Sequence, residues 1–425
     1  MLNKMKLQKI LSNFQKLHPK EIDLSLDRIK NLCEKLGNPQ NKIKAISIVG
    51  TNGKNSTIQA AYSILKEASF ECNVYTSPHI QKINERFIFS NHELNDDELA
   101  DLLEEVEKIN NNQPITVFEM LSACFFYKAA QYPGNINLIE SGLFHRFDAV
   151  NILKTNLASI VTSISKDHLD WLPKDKQTIE QIVFEKTSTL LNSNIIVAKQ
   201  STKETMDCIK KTISQNKSNK VFFNDEFSYS VNENDFFYYE DKFGGLKLPM
   251  PNVLGQYQLE NISTAIATLR TLDLEIRDEH IKKGIKKISS LARLQEIKSG
   301  KLKELVKNNR FIVDGSHNEG GAKVLNEYLQ SLDCNKHIII GMMANKEHEK
   351  YISYFKDISS ITTIDLKTQP NSISGKDLKE KFKSITNVQY QPDIKQAIKS
   401  IDLKKGDLLL ITGSLYGAAE VLSLN

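Results

Sequence analysis

Gly50, Gly53 and Lys54, set in Gly50-Thr51-Asn52-Gly53-Lys54-Asn55-Ser56-Thr57, are residue types that can cradle a phosphate. The glycines let the backbone turn tightly against an anion, a helix start offers exposed amides, and the lysine adds a mobile cation. The stretch departs from G-x-x-x-x-G-K-[ST] at Ile48 and at Asn55, which separates the lysine from the hydroxyls. A plain strand-to-helix turn is the alternative. Ser77, Glu140 and His168 each follow an apolar, β-branched run. At Glu140 and His168 a carboxylate and an imidazole could contact a divalent cation and leave positions for phosphate oxygens; each could equally cap or solvate a loop. Lys186, in Val183-Phe184-Glu185-Lys186-Thr187, falls on an amphipathic segment, where a surface lysine is the plain reading. In Asp314-Gly315-Ser316-His317-Asn318, Asp314 could accept ribose hydroxyls and His317 could meet a base or phosphate. An N-cap and turn explain the segment equally well, and Thr412-Gly413-Ser414 has the same ambiguity. The aromatic stretch 222–239 reads as sheet packing rather than ligand stacking.

Positioning these groups requires an α/β frame. The run Ile43–Val49, the glycine turn and the amphipathic Ile58–Lys66 predict strand, turn and helix. Residues 1–42 read as helical. A strand at Cys72–Thr76 then gives the strand–helix–strand order of a parallel sheet. Further strands are expected at Glu85–Phe89, Ile136–Glu140 and Leu157–Ile164, with helices at Asp96–Ile109 and Val117–Ala130. Ligands of open parallel sheets gather outside the carboxyl ends of the strands, where Ser77, Glu140 and His168 fall. Residues 195–250 predict a small antiparallel appendage carrying Val221-Phe222-Phe223 and Asp235–Tyr239. Helices follow near 259–272 and 278–287, and Lys286–Leu291 reads as a linker. A second alternation then begins, with strands at Phe311–Asp314, His337–Gly341, 361–366 and 407–411 and helices at Glu319–Leu332, Lys346–Lys356 and 416–423. The division expected is 1–288 and 289–425.

With 425 residues, 40% hydrophobic and 25% charged, the chain has material for more than one core. A net charge of +4 gives no basic footprint for nucleic acid or a membrane surface. The five cysteines are scattered without a C-x-x-C, as suits free thiols in a reducing cytoplasm. No run approaches the ~20 apolar residues of a membrane helix.

Taken together, these segments resemble the folylpolyglutamate synthase and dihydrofolate synthase family of the Mur ligase superfamily. The fragments come in family order: Gly50–Lys54, Tyr75-Thr76-Ser77-Pro78-His79, Asn84-Glu85-Arg86, Phe118-Glu119, Glu140-Ser141-Gly142-Leu143, Arg146–Ile152, Asp167-His168, Phe184-Glu185-Lys186, Asp314–Asn318 and Gly413-Ser414-Leu415-Tyr416. The resemblance implies a P-loop ATPase-like domain with a mostly parallel sheet, followed by a smaller Rossmann-like domain. It implies ATP-dependent addition of L-glutamate to dihydropteroate, to the glutamate tail of reduced folates, or to both, through an acyl phosphate; a cytoplasmic monomer is expected.

Residue by residue, it implies that Lys54 and residues Gly50 to Thr57 hold the ATP phosphates. Ser77 and Glu140 would coordinate one Mg²⁺, and Glu140 with His168 a second. Lys186 corresponds to the family's carbamylated lysine. Asn261, Arg293, Asp314 and His317 would complete the nucleotide site, while Arg86, Phe118 and Ser414 would border substrate. The chain departs from the family at several places: Asn55 replaces a glycine, Phe144 and His145 replace two more, Tyr257 replaces a histidine, and the Trp-Pro-Gly before Arg293 is absent. Asparagine tolerates left-handed backbone, so the Asn55 turn is expected to survive. Two rival readings stand beside this one. A Mur-type peptidoglycan ligase shares the loop but usually carries a nucleotide-sugar domain ahead of it, where this chain has 49 residues. The Phe144 and His145 replacements suggest instead a non-catalytic ATP-binding regulator.

Overall fold

The computed structural model describes residues 2–17, 23–232, 236–382 and 388–425. The chain forms two compact units. One comprises Met1–Ile164, Lys174–Asn252 and Glu260–Ile288; the other comprises Ser165–Pro173, Val253–Leu259 and Ser289–Asn425.

The first unit is built on eight strands: β1 (Lys44–Val49), β2 (Cys72–Tyr75), β3 (Phe87–Phe89), β4 (His92–Glu93), β5 (Ile136–Glu140), β6 (Ala158–Val161), β7 (Asn194–Val197) and β8 (Asn219–Phe222). Their order is β4-β3-β2-β5-β1-β6-β7-β8. The pairs from β2 to β8 are parallel, and β3 and β4 add an antiparallel edge. Apolar runs through β1, β2, β5 and β6 are buried on both faces, as central parallel strands must be. The expected strand at Glu85 begins only at Phe87, because Ile83–Arg86 is a 3₁₀ turn whose Glu85 carboxylate accepts the amides of Ile80, Gln81 and Lys82.

Helices are set by their caps. Asn95 and Glu98 form a capping box for Asp96–Asn110, and Thr116 and Glu119 do the same for Val117–Ala129. Glu119 also binds Arg28 at 2.9 Å, tying the helix Asp27–Lys35 to this layer. The helix Lys54–Glu67 buries Ile58, Ala61, Ile64 and Leu65. It packs so closely on the helix Asp278–Ile285 that a Cβ at Gly284 would lie 2.7 Å from Ile64 Cα. The N-terminal stretch expected to be helical holds Leu2–Leu17 and Asp27–Lys35; positions 18–22 lie outside the described residues.

An antiparallel appendage is present as β9 (Phe227–Val231), β10 (Phe236–Asp241) and β11 (Leu246–Pro249). Val221 and Phe222 do not belong to it: they lie on β8, parallel to β7 in the large sheet. Asp235, expected to open an aromatic strand, lies outside the described residues.

The second unit contains β12 (Gln295–Glu296), β13 (Arg310–Val313), β14 (Lys336–Ile340), β15 (Ser360–Ile364), β16 (Val388–Gln391) and β17 (Leu408–Thr412), ordered β12-β13-β17-β14-β15-β16. All neighbours are parallel except β12. Ile312, Leu325, Ile338, Ile340, Leu408 and Leu410 form its core with Tyr351 and Phe382. The helix expected over Lys346–Lys356 spans only His348–Ser353, which leaves Lys346 in the loop that follows β14.

Candidate functional site

In the first unit β2, β5, β1 and β6 are successive neighbours, so the chain leaving each carboxyl end emerges beside the next. Gly50 leaves β1 with φ of +144°, and Gly53 caps the following helix with φ of +89°. A Cβ at Gly50 would stand 2.0 Å from Thr162 Oγ1, and one at Gly53 2.4 Å from Asn261 Oδ1. Dihedral and space therefore both demand glycine. The amides of Thr51 and Asn52 donate to the Ser163 carbonyl at 2.9 and 3.1 Å, seating the loop on the end of β6. Ser56 and Thr57 are buried, and the Thr57 hydroxyl donates to the Gly53 carbonyl at 2.9 Å. Asn55 lies within the helix and is not among the positive-φ residues, so the left-handed turn falls at Gly53 and Asn55 needs none of glycine's freedom.

Lys54 Nζ donates to the carbonyls of Gly50 and Thr51 at 3.2 Å each and lies 3.9 Å from Glu140 Oε1. The other Glu140 oxygen accepts the Ser77 amide at 3.2 Å. The Ser77 hydroxyl itself is buried with no hydrogen-bond partner, a costly state unless something else contacts the oxygen. Among the described residues no three His, Cys, Asp or Glu side chains are grouped to hold a metal ion. A cation bound by Ser77 and Glu140 would draw its remaining ligands from phosphate and water, as Mg²⁺ commonly does.

The chain after Glu140 is ordered by a carboxylate that sequence reasoning passed over. Asp148 accepts the amides of Gly142, Leu143 and Val150 at 2.7, 3.3 and 3.1 Å. Burial pushes its carboxyl up to about 6, against the pull of those amides and of Lys186. His145 is buried, pairs through Nδ1 with the Ser141 hydroxyl at 3.0 Å, and is pushed down to about 4 by burial and then by Lys186. Lys186 itself is 2% exposed, not a surface lysine. Next to it in sequence, Glu185 makes a two-pronged bond with Arg146 at 2.8 and 2.9 Å.

Of the residues expected at substrate, Phe118 lies against Gly142, where a Cβ would be 3.2 Å from Phe118 Cζ. Arg86 donates to His79 Nδ1 at 3.0 Å. Burial and then the Arg86 charge push that imidazole down to about 4.

His168, Arg293, Asp314, His317 and Ser414 belong to the second unit. Asp314 leaves β13 and accepts the amides of Ser316 and Leu294, both at 2.8 Å. Ala292 and Leu294 have φ of +53° and +47°, so Arg293 is presented on a strained turn held by Asp314. His317 Nδ1 lies 2.9 Å from the Gly315 carbonyl and Nε2 3.5 Å from Asp167. Asp167 also accepts Asn318 at 2.9 Å and Lys346 at 2.8 Å. Burial alone would raise the Asp167 carboxyl; His317, His168 and Lys346 outweigh it and hold it well below the usual carboxylate range. His168 follows with φ of +57° and its amide bonded to Asp167 Oδ1 at 2.9 Å. The Ser414 hydroxyl accepts the Tyr416 amide at 3.1 Å and caps the last helix, Leu415–Leu424.

The first unit thus gathers the glycine loop, Lys54, Ser77, Glu140, Asn261 and Lys186, and the second gathers His168 with Arg293, Asp314 and His317. Sequence reasoning missed Asp148 and Lys346 and gave Asp167 no role of its own. Lys346 follows the carboxyl end of β14, the same signal that drew attention to Ser77 and Glu140, but it read as the start of a helix.

Comparison with known proteins accords with this arrangement. Residues 48–269 match the Mur ligase middle domain, and residues 301–415 match the Mur ligase glutamate ligase domain. The chain is 30% identical to the dihydrofolate synthase/folylpolyglutamate synthase of Haemophilus influenzae, covering 96% of this chain and 95% of that one. It is 29% identical to the Bacillus subtilis protein of the same name, covering 93% and 94%. The structure of Escherichia coli FolC in complex with DHPP and ADP superposes with a TM-score of 0.86 at 28% identity, over 98% of this chain and 97% of that one. The glycine loop, the strand-end pair Ser77 and Glu140, and these likenesses over nearly the whole length make the chain a member of the dihydrofolate synthase/folylpolyglutamate synthase family of Mur ligases.

Proposed function

We infer that this chain is an ATP-dependent ligase that joins L-glutamate to a folate-type carboxylate, either the dihydropteroate carboxyl or the terminal glutamate of a reduced folate. The observation that carries the reading is the unpartnered, buried Ser77 hydroxyl beside Glu140, on strand ends that adjoin the glycine loop. It fits a Mg²⁺ ion, which when bound would neutralise charge on the transferring phosphoryl group. The reading includes a second Mg²⁺ with His168 among its ligands.

A carboxylate is a poor electrophile. Its oxygen attacks the γ-phosphorus of ATP, ADP leaves, and an acyl phosphate forms. Lys54 follows the phosphates, exchanging its two loop carbonyls for phosphate oxygens, and the loop amides and helix start add positive potential. The glutamate amine then attacks the acyl carbon, a proton leaves the nitrogen, and the tetrahedral adduct expels inorganic phosphate. Arg293, Asp314, His317 and Asn261 are the proposed nucleotide contacts; Arg86, Phe118 and Ser414 are the proposed substrate contacts. The enzyme is proposed to act as a cytoplasmic monomer. Among the described residues no helix is long and apolar enough to cross a membrane, and all five cysteines are free thiols.

The test is ADP release in the presence of Mg²⁺-ATP, glutamate and either dihydropteroate or a reduced folate. Release that requires both co-substrates is expected. Release indifferent to the removal of either would sink the assignment, and a comparison of the two acceptors identifies which ligation the enzyme performs.

A further inference from the structure

Tyr351 sits on the helix His348–Ser353, in the crossover that leaves β14. Its side chain is buried in the core of the second unit, with the ring edge-on to Phe355 at 5.3 Å. His348 Nε2, at the head of the same helix, lies 2.9 Å from the Met343 carbonyl, which pins the helix start. The Tyr351 hydroxyl reaches the ends of β13 and β17. It donates to the Ser316 carbonyl at 3.1 Å and lies 2.9 Å from the Ser316 hydroxyl and 2.8 Å from the Thr412 hydroxyl, which are 3.3 Å from each other. Because β13, β17 and β14 are successive neighbours in the sheet, this knot joins the chain leaving all three.

The Gly413 amide adds a further contact, donating to the Ser316 carbonyl at 3.1 Å. Three hydroxyl protons satisfy the knot: Tyr351 donates to the Ser316 carbonyl, Thr412 to the Tyr351 oxygen, and Ser316 to either of the other two hydroxyls. Burial raises the phenol above its ordinary value, so it keeps the proton that this pattern requires. A single acceptor would satisfy a buried tyrosine hydroxyl. Here hydroxyls from two separate strand ends converge on it, and each adjoins residues with a proposed role. Ser316 lies between Asp314 and His317, both proposed nucleotide contacts, and its amide donates to Asp314 Oδ1 at 2.8 Å. Thr412 lies two residues before Ser414, a proposed substrate contact.

We propose that Tyr351 is a positioning residue whose hydroxyl locks the segment Asp314–His317 to the segment Thr412–Ser414, so that the nucleotide and substrate contacts of the second unit keep one spacing. The role in turnover rests on the ligase reading; the lock itself does not. Without the hydroxyl each segment still meets its own ligand, but the separation between the two segments varies. A small misplacement between reactants slows the chemical step far more than it weakens the binding of either one.

Tyr351→Phe keeps the ring and its packing while removing the hydroxyl. Hydrogen exchange of the intact chain without ligand, followed by mass spectrometry, should speed up about fivefold or more in peptides covering 313–318 and 411–416, and stay within about twofold in peptides of β14 and β15. With Mg²⁺-ATP, glutamate and either dihydropteroate or a reduced folate, kcat should fall about tenfold while KM for ATP and for the acceptor each change less than about threefold. Thr412→Val should show the same split, and the double variant should be no slower than the slower single, because both remove one lock. Unchanged exchange in the two peptides would overturn the lock. Faster exchange with unchanged kcat, a loss carried by KM alone, or additive losses in kcat would overturn the positioning role. A wild-type chain that turns over neither acceptor sinks the ligase reading instead, and the exchange comparison still decides the lock.

Discussion

Ser77, a Mg²⁺ ligand in the proposed function, allows that role to be separated from stability. Its hydroxyl is buried and unpartnered, so Ser77→Ala removes an unmet polar group and should leave stability within about 0.5 kcal/mol or slightly raised. Turnover at limiting Mg²⁺ should fall at least about tenfold. A chemical-denaturation curve and a Mg²⁺ titration of turnover check the pair; equal Mg²⁺ dependence in the two proteins would contradict the cation role. His145 gives a pH prediction. Its native value is about 4 against an ordinary 6.5, so the folded state disfavours the proton. Its stabilisation is complete above about pH 6.5 and is lost as pH falls toward 4, amounting to about 2 kcal/mol by pH 5. Asp148 works in the other direction. Its raised value means a stabilisation present below its unfolded value and lost as pH rises through about 6. The His145 contribution is therefore read as the difference between wild type and His145→Gln, with wild type losing about 2 kcal/mol more between pH 7.5 and 5; parallel curves would contradict it. At this scale the sequence was informative where chemistry is local: glycine, lysine and a carboxylate after an apolar run announce themselves. The orphaned state of Ser77 and the triple amide grip of Asp148 are products of tertiary packing, and no residue pattern encodes them.

Strand ends are the elements that matter here. β2, β5, β1 and β6 bring Ser77, Glu140 and the glycine loop to one edge because each crossover returns the chain parallel to its neighbour. In the second unit β13, β17 and β14 do the same for Asp314, Gly413 and Lys346. Most of these strands are visible as β-branched runs. The pairing partners are not, which is why Phe222 reads as part of the appendage: an aromatic strand reads alike at the edge of a parallel sheet and in a hairpin. Lys346 was lost for a related reason, since a charged residue before His348 fits a helix start as well as a loop. Its structural role is testable. Lys346→Met would leave the buried Asp167 carboxylate with Asn318 and His317 but without its 2.8 Å cation. A loss of about 2 kcal/mol or more is expected, measured as a shift in denaturation midpoint, because truncating one member of a buried ion pair strands the other. A change below about 0.5 kcal/mol, the ordinary range for surface sites, would show that Asp167 does not depend on it.

For the whole molecule, a boundary read from composition is a single cut in the chain, whereas the compact units are interleaved. Ser165–Pro173 and Val253–Leu259 pack with the C-terminal sheet although they lie between segments of the first unit. The reason is visible in the contacts of Asp167, whose partners Lys346, His317 and Asn318 all come from beyond residue 289. No linear pattern signals that long-range pairing. His168 is consequently carried by the unit that also carries Arg293, Asp314 and His317. What unites the two is the reaction: the proposed nucleotide contacts are Lys54, the glycine loop and Asn261 in the first unit and Arg293, Asp314 and His317 in the second. The most direct test of that account follows the oxygen. Acceptor labelled with oxygen-18 in its carboxylate is turned over with Mg²⁺-ATP and glutamate, and the released phosphate and the product are weighed by mass spectrometry. An acyl phosphate predicts one labelled oxygen in each phosphate and a product heavier by one glutamate residue. Unlabelled phosphate, or phosphate released without glutamate addition, would contradict it.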